Sequence, residues 1–420
     1  MWLGSATMAI TNWATNITFQ DRLTLRPRSI SELQEIVRGY DRVRVRGSAH
    51  CFNTIADTQE IAVLLDQMPD FLSIDADAKT ARVGAGLNYA QIAEYLHSHG
   101  YAIHNLASLP HISIAGAVAT GTHGSGIKNG PLHTAIRAVD LMGPDGGIRR
   151  LTRGVDDEFY AAIVSAGLAG IALSFTLDIE PTFEIMQSVY GQLPRATFGA
   201  NIIEILSSAY SVSFFTTWGS DGAGDLWVKS KTLPPAEVFG AKARTEKAHP
   251  IFGVDPDACT EQFAVPGPWH LRLPHFRIDA TPSAGNELQS EFFVDSENAS
   301  KAFAAMESIS HNFGDLLLVT EVRSMAADDH WLSPAYGRET VALHCTWKND
   351  AGVPALVALI EAALAPFEFR AHTGKLFNVK RDHFRAVLPK FDDFVEYVKS
   401  ADPAGKFQNQ FTRELFGFSE

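Results

Sequence analysis

The chain has 420 residues, 46% of them hydrophobic and 20% charged, with a formal net charge of −13 at pH 7. That is long enough for about two or three domains with sizeable buried cores, in proportions ordinary for a soluble globular protein. So acidic a balance excludes a general nucleic-acid binder, which needs a basic face, and leaves any anionic ligand to be held by local donors.

Cys51, Cys259 and Cys345 are far apart and form no C-x-x-C pair, so neither a zinc ribbon nor a thioredoxin-like centre is expected. Nor do they suggest a disulfide framework, which fits a reducing compartment. No apolar run reaches the ~18 residues that span a bilayer. Met1-Trp-Leu-Gly-Ser-Ala-Thr7 lacks the basic and apolar regions of a signal peptide, and Met8 reads as the natural start. The expectation is a cytoplasmic protein with no metal, no membrane partner and no nucleic-acid partner.

Near the N-terminus Ser29 and Glu32 stand at capping-box spacing, and Ile30, Leu33, Ile36 and Val37 follow at helical period. Val43 and Val45 alternate with Arg42, Arg44 and Arg46, which predicts a strand leading into a turn at His50. A short buried strand is expected at 63–66 and a hairpin from 72–75 and 81–84. A helix then starts near Asn88, with Tyr89, Ile92, Ala93 and Leu96 on one face. Residues 135–142 and 148–152 flank Gly143-Pro-Asp-Gly-Gly147, a hairpin turn. A helix over 156–166 meets Gly167-Leu-Ala-Gly170 and a strand over 171–179, and Pro181 marks a border.

Beyond it, strand-like blocks at 211–218, 226–229, 291–294, 316–323 and 340–347 alternate with helical segments at 300–310 and 353–365. Long polar or proline-containing connections such as 233–268 join them. This pattern predicts a second α+β domain on a broad antiparallel sheet. A tail helix follows over 391–400, so the expected bounds are 8–181, 182–385 and 386–420.

Two stretches of the first domain concentrate the chemistry. Arg46-Gly-Ser-Ala-His50 presents one histidine from a turn, and Ser113-Ile-Ala-Gly-Ala-Val-Ala-Thr-Gly-Thr-His-Gly-Ser-Gly126 is almost all small residues. Along such a run backbone N–H groups can approach a large anionic ligand with no Cβ in the way, although its plainer reading is a tightly packed buried turn. Neither G-x-G-x-x-G nor G-x-x-x-x-G-K-[ST] is present, so no Rossmann unit or P-loop is expected. His123 beside Gly124-Ser-Gly126 lacks the G-x-S-x-G elbow of a hydrolase. A lone histidine such as His50 is most often structural, but its neutral imidazole is a nucleophile able to bond an electrophilic cofactor carbon.

In the second domain, Leu316-Leu-Leu-Val-Thr-Glu-Val-Arg323 is mostly apolar until Glu321 and Arg323 appear two positions apart, on one face of a strand. His344 and Thr346 repeat that geometry in Val341-Ala-Leu-His-Cys-Thr-Trp347, and Lys375 sits in the aromatic-flanked Phe369-Arg-Ala-His-Thr-Gly-Lys-Leu-Phe377. Polar groups in such surroundings cost several kcal/mol unless they pair with each other or with a ligand. The plainer reading is an ordinary Glu321–Arg323 ion pair, with His344 and Lys375 nearby by chance.

Together these residues resemble the flavin oxidoreductases of the vanillyl-alcohol-oxidase type, and among them the alditol oxidases (xylitol or sorbitol oxidases). The likeness runs from Thr11-Asn-Trp-Ala14 to Asp402-Pro-Ala-Gly-Lys-Phe407. Its specific blocks are Val43-Arg-Val-Arg-Gly-Ser-Ala-His-Cys-Phe-Asn53, Asn105-Leu-Ala-Ser-Leu-Pro-His-Ile-Ser-Ile-Ala-Gly116, Cys259-Thr-Glu-Gln-Phe263, Trp331-Leu-Ser-Pro-Ala-Tyr-Gly-Arg338 and Gly374-Lys375. The resemblance implies an α+β fold: a two-part FAD-binding domain of that type, an α+β substrate domain with a broad antiparallel sheet, and a C-terminal segment returning to the FAD domain.

It further implies that His50 carries FAD through an 8α-histidyl bond. Arg44, Val45, Arg46, Gly47, Ser48 and Ala49 would line the cofactor with Ser113, Gly116, Thr120, Gly121, Thr122 and His123, while Gly170 and Ala172 would lie near its adenine half. Ser108 would sit by the flavin ring and the substrate. Glu321, Arg323, Thr346 and Lys375 would bind polyol hydroxyls, and His344 would lie at the reacting alcohol. Ala49 stands where the family often has glycine, and no cysteine here matches the second linkage of doubly attached relatives.

The expected reaction turns a terminal primary alcohol of a polyol into an aldehyde, with hydride passing to flavin N5 and dioxygen reduced to hydrogen peroxide. His344 would be the base, and Arg323 and Lys375 would stabilise alkoxide charge. A monomer acting on a small polyol and O2 is expected. Two alternatives stand beside this reading: an aldonolactone oxidoreductase on the same scaffold with a non-oxygen acceptor, and a catalytically inert flavoprotein that stores or senses FAD.

Overall fold

Three short strands open the chain. A computed structural model describes residues 10–280 and 286–419; Met8, read above as the start, lies outside them. Leu23–Leu25, Ile61–Val63 and Val43–Val45 form a parallel sheet with Ile61–Val63 in the centre. Ile61, Ala62 and Val63 are fully buried, as the middle strand of a covered parallel sheet must be. The strand lies two residues before the expected 63–66, because its pairing with both neighbours ends at Val63.

Helix Ile30–Gly39 starts where Ser29 Oγ accepts the Glu32 N–H at 3.1 Å. The Glu32 carboxylate reaches back to the Arg28 N–H, one residue earlier than a capping box requires. Asn88 and Gln91 do form a full capping box at the start of helix Tyr89–Ser98. Both expected hairpins belong to an antiparallel sheet ordered Ser73–Asp75, Thr80–Gly84, Ile171–Asp178, Ile136–Met142 and Ile148–Thr152.

Two local expectations need correcting. The helix expected over 156–166 is only Glu158–Ile163, because Ala166 (φ 51°) and Gly167 (φ 74°) turn the chain left-handed. The glycine-rich run is also not all turn. Ile114–Ala119 is a short helix, packed through Ile114, Ala117 and Val118.

The second part is a ten-stranded antiparallel sheet. Its order is Glu237–Val238, Ala241–Ala243, Glu184–Pro194, Ala223–Ser230, Ser211–Thr216, Leu317–Met325, Thr340–Lys348, Glu287–Asp295 and Arg370–Ala371, with Gly267–Pro268 pairing to the side of Glu184–Pro194. Glu184–Pro194 went unseen in the sequence because a bulge between Tyr190 and Leu193, with Gln192 at φ 62°, breaks its alternation. Helices Ala299–Ile309 and Val353–Leu364 pack together, with Phe303, Met306, Val357 and Ile360 buried.

The tail helices Phe391–Ala401 and Gln410–Phe416 lie against the first part of the chain. Val43 N–H donates to Lys406 O at 2.9 Å, and Asn409 Nδ2 donates to the carbonyls of Thr54, Ile55 and Asp57. Arg44 completes the tie. Its buried guanidinium donates to the carbonyls of Ile55, Ala166 and Phe407 at 2.6–2.9 Å. Burying that charge without such partners would cost several kcal/mol.

Candidate active site

A cavity of about 550 Å³ is lined by the 44–50 loop, the Ser108 segment and the glycine-rich run on one side, and by the large sheet on the other. Every residue expected to hold FAD or polyol lines it except Gly121. Gly121 has φ 70°, and a Cβ there would stand 2.9 Å from Pro334 Cδ, so this glycine serves tight packing. Arg44 and Arg46 border the cavity, but their side chains are spent on the protein: Arg44 on the carbonyls above, Arg46 on buried Asp21 at 2.7 Å.

The two chemistry-bearing loops are zipped together. Ser48 N–H donates to Ser113 Oγ at 3.3 Å, and Ser113 N–H donates to Ser48 Oγ at 3.0 Å. Gly47 is required at this crossing, since a Cβ would fall 2.2 Å from Ser113 Oγ. The His50 ring stacks on Trp13 with centroids 5.4 Å apart, and its buried Nδ1 has no hydrogen-bond partner. Burial pushes the His50 pKa down to about 4, so the ring is neutral and nucleophilic at pH 7. Burial likewise pushes the Cys51 thiol up to about 11.

Antiparallel register builds the opposite wall. His344 lies directly across from Glu321 on one side and from Glu291 on the other, so the three side chains form a row across neighbouring strands. Thr346 pairs with Gln289 one step along, and all five residues line the cavity. Arg323, two residues from Glu321 on the same face, donates through NH2 to Glu291 Oε1 at 2.9 Å and holds its Nε 3.4 Å from Glu321 Oε1. Its NH1 approaches Ser108 Oγ at 3.4 Å. Lys375 Nζ donates to Glu291 Oε2 at 2.8 Å.

Burial alone would raise the pKa of both carboxyls. For Glu291, Lys375, His123 and Arg323 outweigh it; for Glu321, Arg323 and His275 do, and both stay ionised below the ordinary range. Burial, reinforced by the Lys375 charge, holds His344 well below the usual histidine value. Both its ring nitrogens are buried without a hydrogen-bond partner, and Nδ1 is 3.8 Å from Glu321 Oε2. Both nitrogens are thus available to a polar group entering the cavity.

Three residues at or behind the site escaped the sequence reading: Glu291, His275 and Lys229. Glu291 was seen only as the start of a strand, yet it anchors Arg323, Lys375 and His123. His123, expected to line the cofactor, faces acceptors with both nitrogens: Gly124 O at 2.8 Å and Glu291 Oε1 at 3.1 Å. Burial holds its pKa below the ordinary value, so the neutral ring has one proton for two acceptors. His275 comes from a loop past the 233–268 connection and lies 3.0 Å from Glu321 Oε1. Behind it is Lys229, 1% exposed, whose pKa burial pushes down to about 7. The only hint of Lys229 was a charge closing the apolar block 226–229.

Among the described residues, His133, Asp328 and His330 place possible metal-ligand atoms within 4.8 Å of one another. Asp328 already accepts from Ser333 Oγ and the His330 N–H and lies 3.2 Å from His133 Nε2, and none of the three lines the cavity. This cluster joins the Leu132–Ala135 turn to the loop after Met325.

A family model described as FAD binding domain matches residues 22–152, and one described as D-arabinono-1,4-lactone oxidase matches residues 286–415. The chain is 43% identical to alditol oxidase of a Streptomyces species, over 97% of this chain and 99% of that one. It is 23% identical to L-gulonolactone oxidase of Mus musculus, over 96% and 97% respectively. A solved cholesterol oxidase variant from Brevibacterium sterolicum has the same fold, with a TM-score of 0.80 and 12% identity over 97% of this chain and 96% of that one.

Proposed function

The chain belongs to the alditol oxidase family of FAD-linked oxidoreductases, with a fold of the vanillyl-alcohol-oxidase type, and on that premise we propose that it oxidises the terminal primary alcohol of a polyol such as xylitol or sorbitol to the aldehyde. One observation carries the reading: the in-register row Glu291–His344–Glu321, flanked by Arg323 and Lys375, opens into the cavity that also holds the His50 loop. An inert FAD carrier would have no use for that row.

The residues present fit the cofactor. The unpartnered Nδ1 of His50 is the nitrogen open to a covalent bond, and Gly116 meets only Ser113 Oγ where a Cβ would stand, leaving its cavity side clear. Gly170 and Ala172 border the same space for the adenine half. The half-buried, protonated thiol of Cys51 favours a single tether. When bound, FAD would supply the hydride acceptor for C1 and the path of two electrons to dioxygen, with hydrogen peroxide as the product.

The chain supplies the rest. Neutral His344 takes the hydroxyl proton at a ring nitrogen as hydride leaves the carbon that bears that hydroxyl. Arg323 and Lys375 stabilise the developing alkoxide charge. Glu321 and Thr346 hold the remaining hydroxyls, and Ser108 orients the substrate beside the ring. Substrates lacking those hydroxyls leave buried polar groups unpaired, which is where selectivity arises.

We divide the chain accordingly at 8–181, 182–385 and 386–420, with the tail's hydrogen bonds to residues 43–57 supporting its return to the FAD domain. The protein acts as a cytoplasmic monomer in this reading. None of its three cysteines pairs, and among the described residues no helix is long and apolar enough to cross a membrane. The family match to residues 286–415 keeps a lactone substrate as the second reading, although the L-gulonolactone oxidase relative is more distant at 23% identity.

Anaerobic mixing of the holoenzyme with xylitol tests the proposal. Bleaching of the flavin, followed in air by stoichiometric peroxide, is expected; bleaching by an aldonolactone but not by xylitol sinks it. Lys375→Ala should cut kcat/KM for xylitol at least about tenfold, the loss of one charged hydrogen bond.

A further inference from the structure

Lys229 is an expensive residue to bury, and the polyol-oxidase chemistry above makes no use of it. It sits in the Ala223–Ser230 strand, 1% exposed, and does not line the cavity. Its Nζ is surrounded by Leu273 O, Pro274 O at 3.1 Å and His275 Nδ1 at 3.3 Å. An ammonium carries three protons and no lone pair. Three protons meet three acceptors, one each.

That match fixes the ring next to it. With Nδ1 accepting from Lys229, the single proton of a neutral His275 belongs on Nε2, which faces Glu321 Oε1 at 3.0 Å. The opposite tautomer would aim a lone pair at a carboxylate. Phe215 and Trp227 grip the ring in edge contacts, with centroids at 5.4 and 5.2 Å and interplanar angles of 72° and 77°. The His275 N–H donates to Ser108 O at 3.2 Å, which ties the same segment to the cofactor side. Burial, then the Lys229 charge, pushes the His275 pKa down to about 4, so the ring is neutral near pH 6 and the choice of tautomer is real.

We infer that Lys229 is a positioning residue: it locks His275 in its Nε2–H tautomer, and His275 in turn holds Glu321 so that one carboxylate oxygen is left for the substrate hydroxyls. Glu321 Oε1 faces His275 Nε2 at 3.0 Å and lies 3.4 Å from Arg323 Nε, while Oε2 is the oxygen nearest His344. Lys229 never meets the polyol. This inference rests on the proposed polyol chemistry only for what Glu321 binds.

The first measurement needs no turnover. In holoenzyme labelled with 15N-histidine at pH 6, the His275 resonances, assigned by their loss in His275→Gln, should show a protonated Nε2 and a bare Nδ1. An Nδ1–H tautomer or an imidazolium overturns the inference, whether or not xylitol proves to be a substrate. The second measurement uses Lys229→Met, for which the KM for xylitol should rise about tenfold with kcat within about twofold and flavin content unchanged. His275→Gln replaces the ring with an amide that has no tautomers to choose between. Adding Lys229→Met to it should change KM by less than about twofold. A full additive loss would mean that Lys229 acts by packing and would overturn the inference. Should Lys229→Met fail to fold, the wild-type spectrum decides alone.

Discussion

Asn53 holds Lys375 by the backbone: its Nδ2 donates to Lys375 O and to Thr373 O, each at 2.8 Å. Asn53 follows His50 by three residues, so one amide couples the His50 loop to the position of Lys375. Phe52 N–H strengthens the link by donating to Gly374 O at 2.8 Å. Asn53 Oδ1 meanwhile caps the Thr54–Ala56 turn by accepting the Ile55 N–H. Asn53→Asp keeps that cap and loses both donations. The KM for xylitol should rise about tenfold at unchanged flavin content, and an unaltered KM would show that the turn at Lys375 stands without Asn53.

Glu291→Gln keeps the shape of the anchor and removes its charge. Arg323 and Lys375 would then share a single carboxylate, Glu321, and breaking a buried pair in this way costs about 3–5 kcal/mol. The kcat/KM for xylitol should fall at least about 100-fold, and the urea midpoint should also drop. Steady-state kinetics near wild type would remove Glu291 from the site.

The pH profile follows from His344. Its folded pKa lies well below 6.5, so the neutral base persists as pH falls through 6.5 and is lost only in more acidic solution. No acid limb in kcat/KM is therefore expected near pH 6.5, where an unperturbed histidine would place one. His344→Asn should remove most of the activity without altering flavin content. A limb centred near 6.5 that survives in His344→Asn would assign it to another group.

Ala49 adopts φ 57°, a left-handed conformation that costs an L-residue about 1–2 kcal/mol. Glycine relieves that strain but adds freedom to the unfolded chain, so Ala49→Gly should stabilise by up to about 1 kcal/mol. A denaturant midpoint for the holoenzyme reads this directly. Destabilisation would mean that the alanine methyl packs usefully beside His50.

Local chemistry made much of the fold legible. The Asn88 cap, the Gly143–Gly147 turn and the Glu321/Arg323 and His344/Thr346 alternations each specify structure within a few residues. The missing pieces were those that only long-range pairing creates. Glu184–Pro194 hid behind its bulge, and Glu291 looked like any strand carboxylate until the register set it beside His344. His275 depends on a loop whose path no periodicity encodes, and Lys229 becomes meaningful only when three acceptors from that loop surround it. Gly121 shows a different limit: small residues that serve packing and those that admit a ligand look alike until Pro334 is seen against one of them.

Around His344, Glu291 and Glu321 balance Arg323 and Lys375. That part of the lining is zwitterionic and offers many donors and acceptors to an uncharged guest. A sugar acid or an amino sugar would bring a charge that nothing there is free to neutralise, whereas an uncharged, fully hydroxylated chain can exchange each of its bonds with water for one with the wall.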